Sequence, residues 1–93
     1  MRFRKRPVEV EAMQFDSTSA GVAIVRWAQG SVQGVFDDSH GEYLLVETLS
    51  GPVRAKRGEW VMRGVEGEFY PITDAILRAS HDPLDEGRGH GRG

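Results

Sequence analysis

The sequence predicts a small α+β domain: a curled, barrel-like antiparallel sheet of about five or six short strands with one packed α-helix. Three observations carry this. Short apolar runs are separated by glycine- and proline-bearing turns every few residues from 31 to 71, the spacing of small antiparallel domains. One segment, 20–29, has helical rather than alternating periodicity. The chain has 93 residues, enough for one small domain but too few to bury a deep private site easily.

The elements follow in order. Residues 7–15 alternate at first: Val8, Val10 and Ala12 share one face, and Glu9 and Glu11 the other. Met13 and Phe15 then fall on the polar face, a slip that a bulge or a strand end turning into a loop would explain. Pro7 lacks a donor N–H and suits the start of an edge strand. Asp16-Ser17-Thr18-Ser19 offers several N-caps. Ala20, Ile24, Trp27 and Ala28 then share one helical face, and Gly30 stops the helix. β-Branched residues between 21 and 27 make a buried strand the competitor; the cap and stop signals favour helix.

Ser31 to Phe36 reads as a strand with an internal glycine, and 37–41 as a polar loop. Glu42 to Leu49 is the strongest strand, apolar enough to predict cover on both faces. Ser50-Gly51-Pro52 turns, 53–56 alternates, and 57–59 turns again. Trp60 to Val65 and Glu68 to Tyr70 form two strands joined by a tight turn at Glu66-Gly67. Over 72–81 a helical turn capped by Thr73 or Asp74 and a short strand both remain open. Residues 1–81 make the single domain. From Asp82 the chain becomes glycine-rich and is expected to be a disordered tail, 82–93.

Two segments carry a family likeness. The first is Lys5-Arg6-Pro7-Val8-Glu9-Val10-Glu11-Ala12-Met13-Gln14-Phe15; the second is Gly58-Glu59-Trp60-Val61-Met62-Arg63-Gly64-Val65-Glu66-Gly67-Glu68-Phe69-Tyr70-Pro71. Together they resemble a family of small uncharacterised bacteriophage and prophage proteins. The chain departs from that pattern at Glu59, where the family usually has Asp, at Ile72, where it often has Cys, and in the glycine-rich tail. The resemblance implies a phage or prophage source and no particular reaction.

Composition bounds the chemistry. Formal net charge is −2 and there is no cysteine, so disulfides, thiolate catalysis and zinc–thiolate sites are excluded. No apolar run is long enough for a membrane helix. The basic N-terminus has no apolar signal-peptide core, and a cytoplasmic protein is expected, in the host cytoplasm if phage-encoded. His40, His81 and His90 lack a nucleophile-elbow context and metal-ligand spacing. Asp37-Asp38 with His40 makes only a weak metal-like cluster. Glu59, Glu66 and Glu68 would converge at the hairpin, where solvated turn carboxylates are the usual outcome. No catalytic residue, metal or cofactor is therefore assigned.

Binding residues stand out more clearly. Arg54 and Lys56 share a strand face, with Arg63 expected to join them from the next strand. With Trp60 and Tyr70 they form a candidate pocket for an anionic aromatic ligand, the arginines forking a phosphate and a ring stacking on the base. Phe69 and Trp27 are read as core. The residues and the resemblance together predict a non-enzymatic phage or prophage accessory protein that sequesters a host protein or a small, nucleotide-like anion. A nucleic-acid-binding accessory protein is the alternative, using Arg2, Arg4, Lys5 and Arg6 as a basic arm with the Arg54/Lys56 face; the net acidic charge disfavours it. A minor virion or assembly component is a third reading. Uncovered strand edges predict a homo-oligomer, a dimer being the simplest.

Overall fold

The structure, a computed structural model, describes Met1 and residues 9–82. The expected tail beyond Asp82 and the basic arm at 2–6 lie outside the described residues. Six strands and two helices follow in the order β1 (Glu11–Gln14), α1 (Thr18–Ala28), β2 (Val32–Asp37), β3 (Gly41–Thr48), β4 (Gly51–Ala55), β5 (Trp60–Arg63), β6 (Phe69–Ile72) and α2 (Asp74–Ser80). The α+β class and the strand number are as the sequence predicts. The single curled sheet is in fact two antiparallel sheets of three strands, ordered β1-β5-β6 and β2-β3-β4. Neither closes, so the barrel likeness is approximate. The undecided segment after Thr73 is the second helix. No helix among the described residues is long and apolar enough to cross a membrane.

The division falls between β4 and β5. β5 pairs with β1, from Glu11↔Arg63 to Gln14↔Trp60, instead of extending the β3–β4 ribbon. The register is unbroken over these residues, so the slip at Met13 is not a bulge: β1 ends at Gln14 and turns away. Past its end the pairing continues loosely, as Phe15 N–H donates to Glu59 O at 2.8 Å and Gly58 N–H to Phe15 O at 2.7 Å. The face that meets the α1 core is that of Met13 and Phe15, while the face of Ala12 carries its cross-strand partner Met62, also fully buried. Phe15 is fully buried and Met13 packs on the core.

Helix α1 starts where the cap candidates predict. Ser17 Oγ accepts from Ala20 N–H at 3.1 Å, and Gln29 closes the helix in the left-handed region with φ 48°. Its buried stripe is Gly21, Ile24 and Ala28. Trp27 sits at the stripe's border, edge-on to Phe69 with centroids 5.2 Å apart. Gly21 lets the helix close on the core, because a Cβ there would lie 2.9 Å from Phe15 Cε1. The core of Phe15, Ile24, Ala28, Val32, Leu44, Val46, Ala55, Val61 and Phe69 thus draws on α1 and both sheets. β6 lies against β3 and β4 and joins the two sheets.

β3 is not covered on both faces as its apolar run predicts. Leu44 and Val46 are buried, whereas Tyr43 and Leu45, on the outward face, are half-buried. The β5–β6 hairpin forms as expected, with Gly67 at φ 84°, a conformation that suits glycine. Glu68 turns its carboxylate back onto the Glu66 N–H at 3.0 Å, and Glu59 accepts from the Lys56 N–H at 2.8 Å. These two carboxylates hold turns and do not converge on a ligand.

Candidate functional site

The β3–β4 ribbon presents the cationic residues. Its register sets Leu45 opposite Arg54, so alternation places Tyr43 and Leu45 on the same outward face as Arg54, with Lys56 just past the strand end. The Arg54 guanidinium carbon lies 5.7 Å from the Tyr43 ring centroid, within cation–π range. Both Arg54 and Lys56 are exposed, and neither enters an ion pair among the described residues. They line a groove of about 530 Å³ with His40, Glu42, Tyr43, Val53 and Arg57.

The turn from β2 to β3 builds the other wall. Asp37 Oδ1 accepts from the Ser39 N–H at 2.9 Å and the His40 N–H at 2.6 Å. His40 Nδ1 lies 3.1 Å from the same oxygen, and Tyr43 Oη donates to Oδ2 at 3.3 Å. One carboxylate therefore fixes both rings, which meet edge to face at 5.8 Å. The His40 N–H, above all, holds the Asp37 carboxyl below its ordinary value, aided by the His40 ring and the Tyr43 hydroxyl.

Arg57 lines the groove but is already engaged. It donates to Glu42 at 2.7 Å and to Thr18 at 3.2 Å, and its guanidinium carbon stands 5.4 Å from the Phe15 ring centroid. It ties the β4–β5 turn to β3 and to the start of α1. Its side-chain hydrogen bond, followed by that from Thr18, lowers the Glu42 carboxyl.

The five residues read from the sequence as one pocket are therefore not one site. Arg54 and Lys56 stand together on the second sheet. Arg63, Trp60 and Tyr70 belong to the first, because β5 pairs with β1 and β6 rather than with β4, and none of the three lines this groove. Arg63 is spent on an exposed cross-strand pair with Glu11, 3.2 Å. Trp60 Nε1–H donates to Asp74 Oδ1 at 2.9 Å and so fastens α2, which buries no side chain. Tyr70 is half-buried beside Met62. The aromatic partners of Arg54 are instead Tyr43 and, beyond it, His40. Tyr43 was missed because the apolar run of β3 predicted cover on both faces; the register with β4 is what turns it towards the cations. His40 was missed too, since a loop histidine reveals nothing until Asp37 positions it.

No group of three or more histidine or acidic side chains among the described residues is placed to hold a metal ion. Compared with protein-family models, curated proteins and solved structures, the chain matches none of them.

Proposed function

We propose that this chain is a non-enzymatic binding module, of phage or prophage origin as the resemblance implies, that captures a small phosphate-bearing ligand in the outward groove of the β3–β4 ribbon. The observation that carries this is the pairing of two uncommitted cations, Arg54 and Lys56, with an aromatic wall whose rings a single carboxylate holds in place. An arginine offers two parallel donors to a phosphate, and a lysine adds a point charge. Resting Arg54 over Tyr43 lowers the ordering cost of binding. The His40 and Tyr43 rings offer an edge-to-face wall to a base. The volume, about 530 Å³, falls in the range of small-ligand sites. Binding is favoured over catalysis because, among the described residues, His40 Nδ1 faces Asp37 with no serine or threonine hydroxyl on its ring, and Ser80 Oγ, 2.8 Å from His81 Nδ1, lies exposed at the end of α2 away from this groove.

The test is a backbone amide NMR titration of the full chain at low salt, with AMP and separately with inorganic phosphate. Saturable shifts should cluster at His40, Tyr43, Arg54 and Lys56. Arg54→Ala should weaken AMP binding by roughly tenfold, the loss of a charge-assisted hydrogen bond, and leave thermal stability unchanged. Arg63→Ala should not alter it. An absence of saturable shifts with either probe would sink the proposal. A short single-stranded oligonucleotide, run in parallel, distinguishes a nucleic-acid face, which would shift residues well beyond this groove.

A further inference from the structure

A second groove lies on the opposite side of the β2–β3–β4 sheet, between α1 and β2, and we propose that it is the seat for a second copy of this chain, joined through β2 edge to edge. Four observations converge.

The first is an open edge. β2 is the outer strand of its sheet, and its other side pairs with no strand among the described residues. It is six residues long, enough for a continuous antiparallel ladder.

The second is a knob. Phe36 lies on the same face of β2 as buried Val32, because its cross-strand partner is Glu42, two residues from buried Leu44. Yet Phe36 leaves 73% of its surface exposed.

The third is a hole. Gly34, two residues away on that same face, has no atom within 4 Å of where a Cβ would stand. It opens a groove of about 640 Å³ whose walls include Gly21, Val22, Val25 and Leu44. Val22, on the helix side, is half exposed.

The fourth is symmetry. In an antiparallel pair, hydrogen-bonded and non-bonded residue pairs alternate. A two-fold axis normal to the sheet must therefore set a residue opposite itself. If that residue is Val35, Phe36 of each copy stands directly opposite Gly34 of the other, on the inward face. Each ring then fills the other copy's hole, and the two rings meet diagonally across the axis, a contact aromatic side chains reach.

Charge agrees with this register. The one charged residue of β2 is Asp37, and the axis at Val35 sets it opposite Gln33, an amide donor. The two Asp37 carboxylates end about 13 Å apart along the strands, beyond the ~8 Å screening length at physiological salt. The area sets the strength. An aromatic side chain buries about 150–250 Å², so two rings, the groove walls that receive them and the paired edges bring the contact near the ~1,000 Å² lower bound for a specific interface. The dimer is accordingly weak and reversible, and the outward groove stays open in it.

Sedimentation velocity of the full chain over a range of concentrations tests this. A monomer–dimer equilibrium is expected. Phe36→Ala should weaken it by roughly tenfold or more, the usual effect of removing a central aromatic anchor. Gly34→Val should do the same by filling the hole. Thermal stability at concentrations where the chain is monomeric should not fall in either variant, since both positions are open to solvent. The register is read by cysteine: the chain has none, so Val35→Cys should give a disulfide-linked dimer on mild oxidation, whereas Gln33→Cys should not. A chain monomeric throughout, a dimer indifferent to both Phe36→Ala and Gly34→Val, or faster cross-linking at position 33 than at 35 would each overturn the proposal.

Discussion

Replacing Gly21 with alanine sets two well-measured effects against each other. In an open helix interior the change stabilises by about 1 kcal/mol, because alanine is the better helix former. Here the new methyl would stand 2.9 Å from Phe15 Cε1 and 3.3 Å from Cδ1, with Leu44 Cδ2 at 3.6 Å behind it. Phe15 has little freedom to yield. Its ring is fully buried, Arg57 stands over it, and its backbone is hydrogen-bonded on both sides to the 58–59 turn. Overpacking of this kind costs about 1–3 kcal/mol, so against the gain of about 1 kcal/mol the net effect runs from near zero to a loss of about 2 kcal/mol. For a domain this small, that lowers the melting temperature by up to roughly 16 °C. The assay is thermal unfolding followed by circular dichroism. Phe15→Leu, alone and combined with Gly21→Ala, completes a double-mutant cycle. Removing the ring edge should make the alanine less harmful, with a coupling of about 0.5 kcal/mol or more. A Gly21→Ala protein that melts higher than the parent would refute the reasoning, since it would show that helix propensity outweighs the contact with Phe15.

Three further outcomes follow from named contacts. Ser17→Ala removes the oxygen that accepts from Ala20 N–H; thermal unfolding should show a loss of about 1 kcal/mol, and Ser17→Asp should restore it. Asp37 titrates below its ordinary 3.8 in the folded chain, so its support of the β2–β3 turn is present at neutral pH and is lost as pH falls through that lowered value. The His40 amide resonance should report an inflection below 3.8, vanish as a titration in Asp37→Asn, and contradict the assignment if it inflects at or above the ordinary value. Asp74, whose carboxyl is lowered first by the Trp60 indole N–H and then by Arg78, anchors α2. Asp74→Ala should shift the Trp60 indole N–H resonance and reduce the helical signal, and an unmoved resonance would show that the bond is not formed in solution.

Local structure was largely written in the residues themselves. The polar run before Ala20 and the glycine after Gln29 bracketed α1 without choosing Ser17 as its cap, Gly67 marked the hairpin, and alternation set Arg54 and Lys56 on one face. Each of these depends on neighbours within four or five positions, so hydrogen-bond and side-chain periodicity suffices to see it. The cationic half of the candidate site was legible for the same reason. Which strands meet, by contrast, is settled by long-range packing. β5 could have continued the β3–β4 ribbon, which would have brought Arg63, Trp60 and Tyr70 beside Arg54; instead it pairs with β1, 52 residues away at Arg63–Glu11. Nothing local separates these outcomes, because both strands offer the same backbone donors and acceptors. Burial of Phe15, Val61 and Phe69 in one core goes with the second. Which surfaces stay uncovered is decided at the same level: Phe36 is exposed beside the hole at Gly34, two residues that in the sequence read only as parts of a strand.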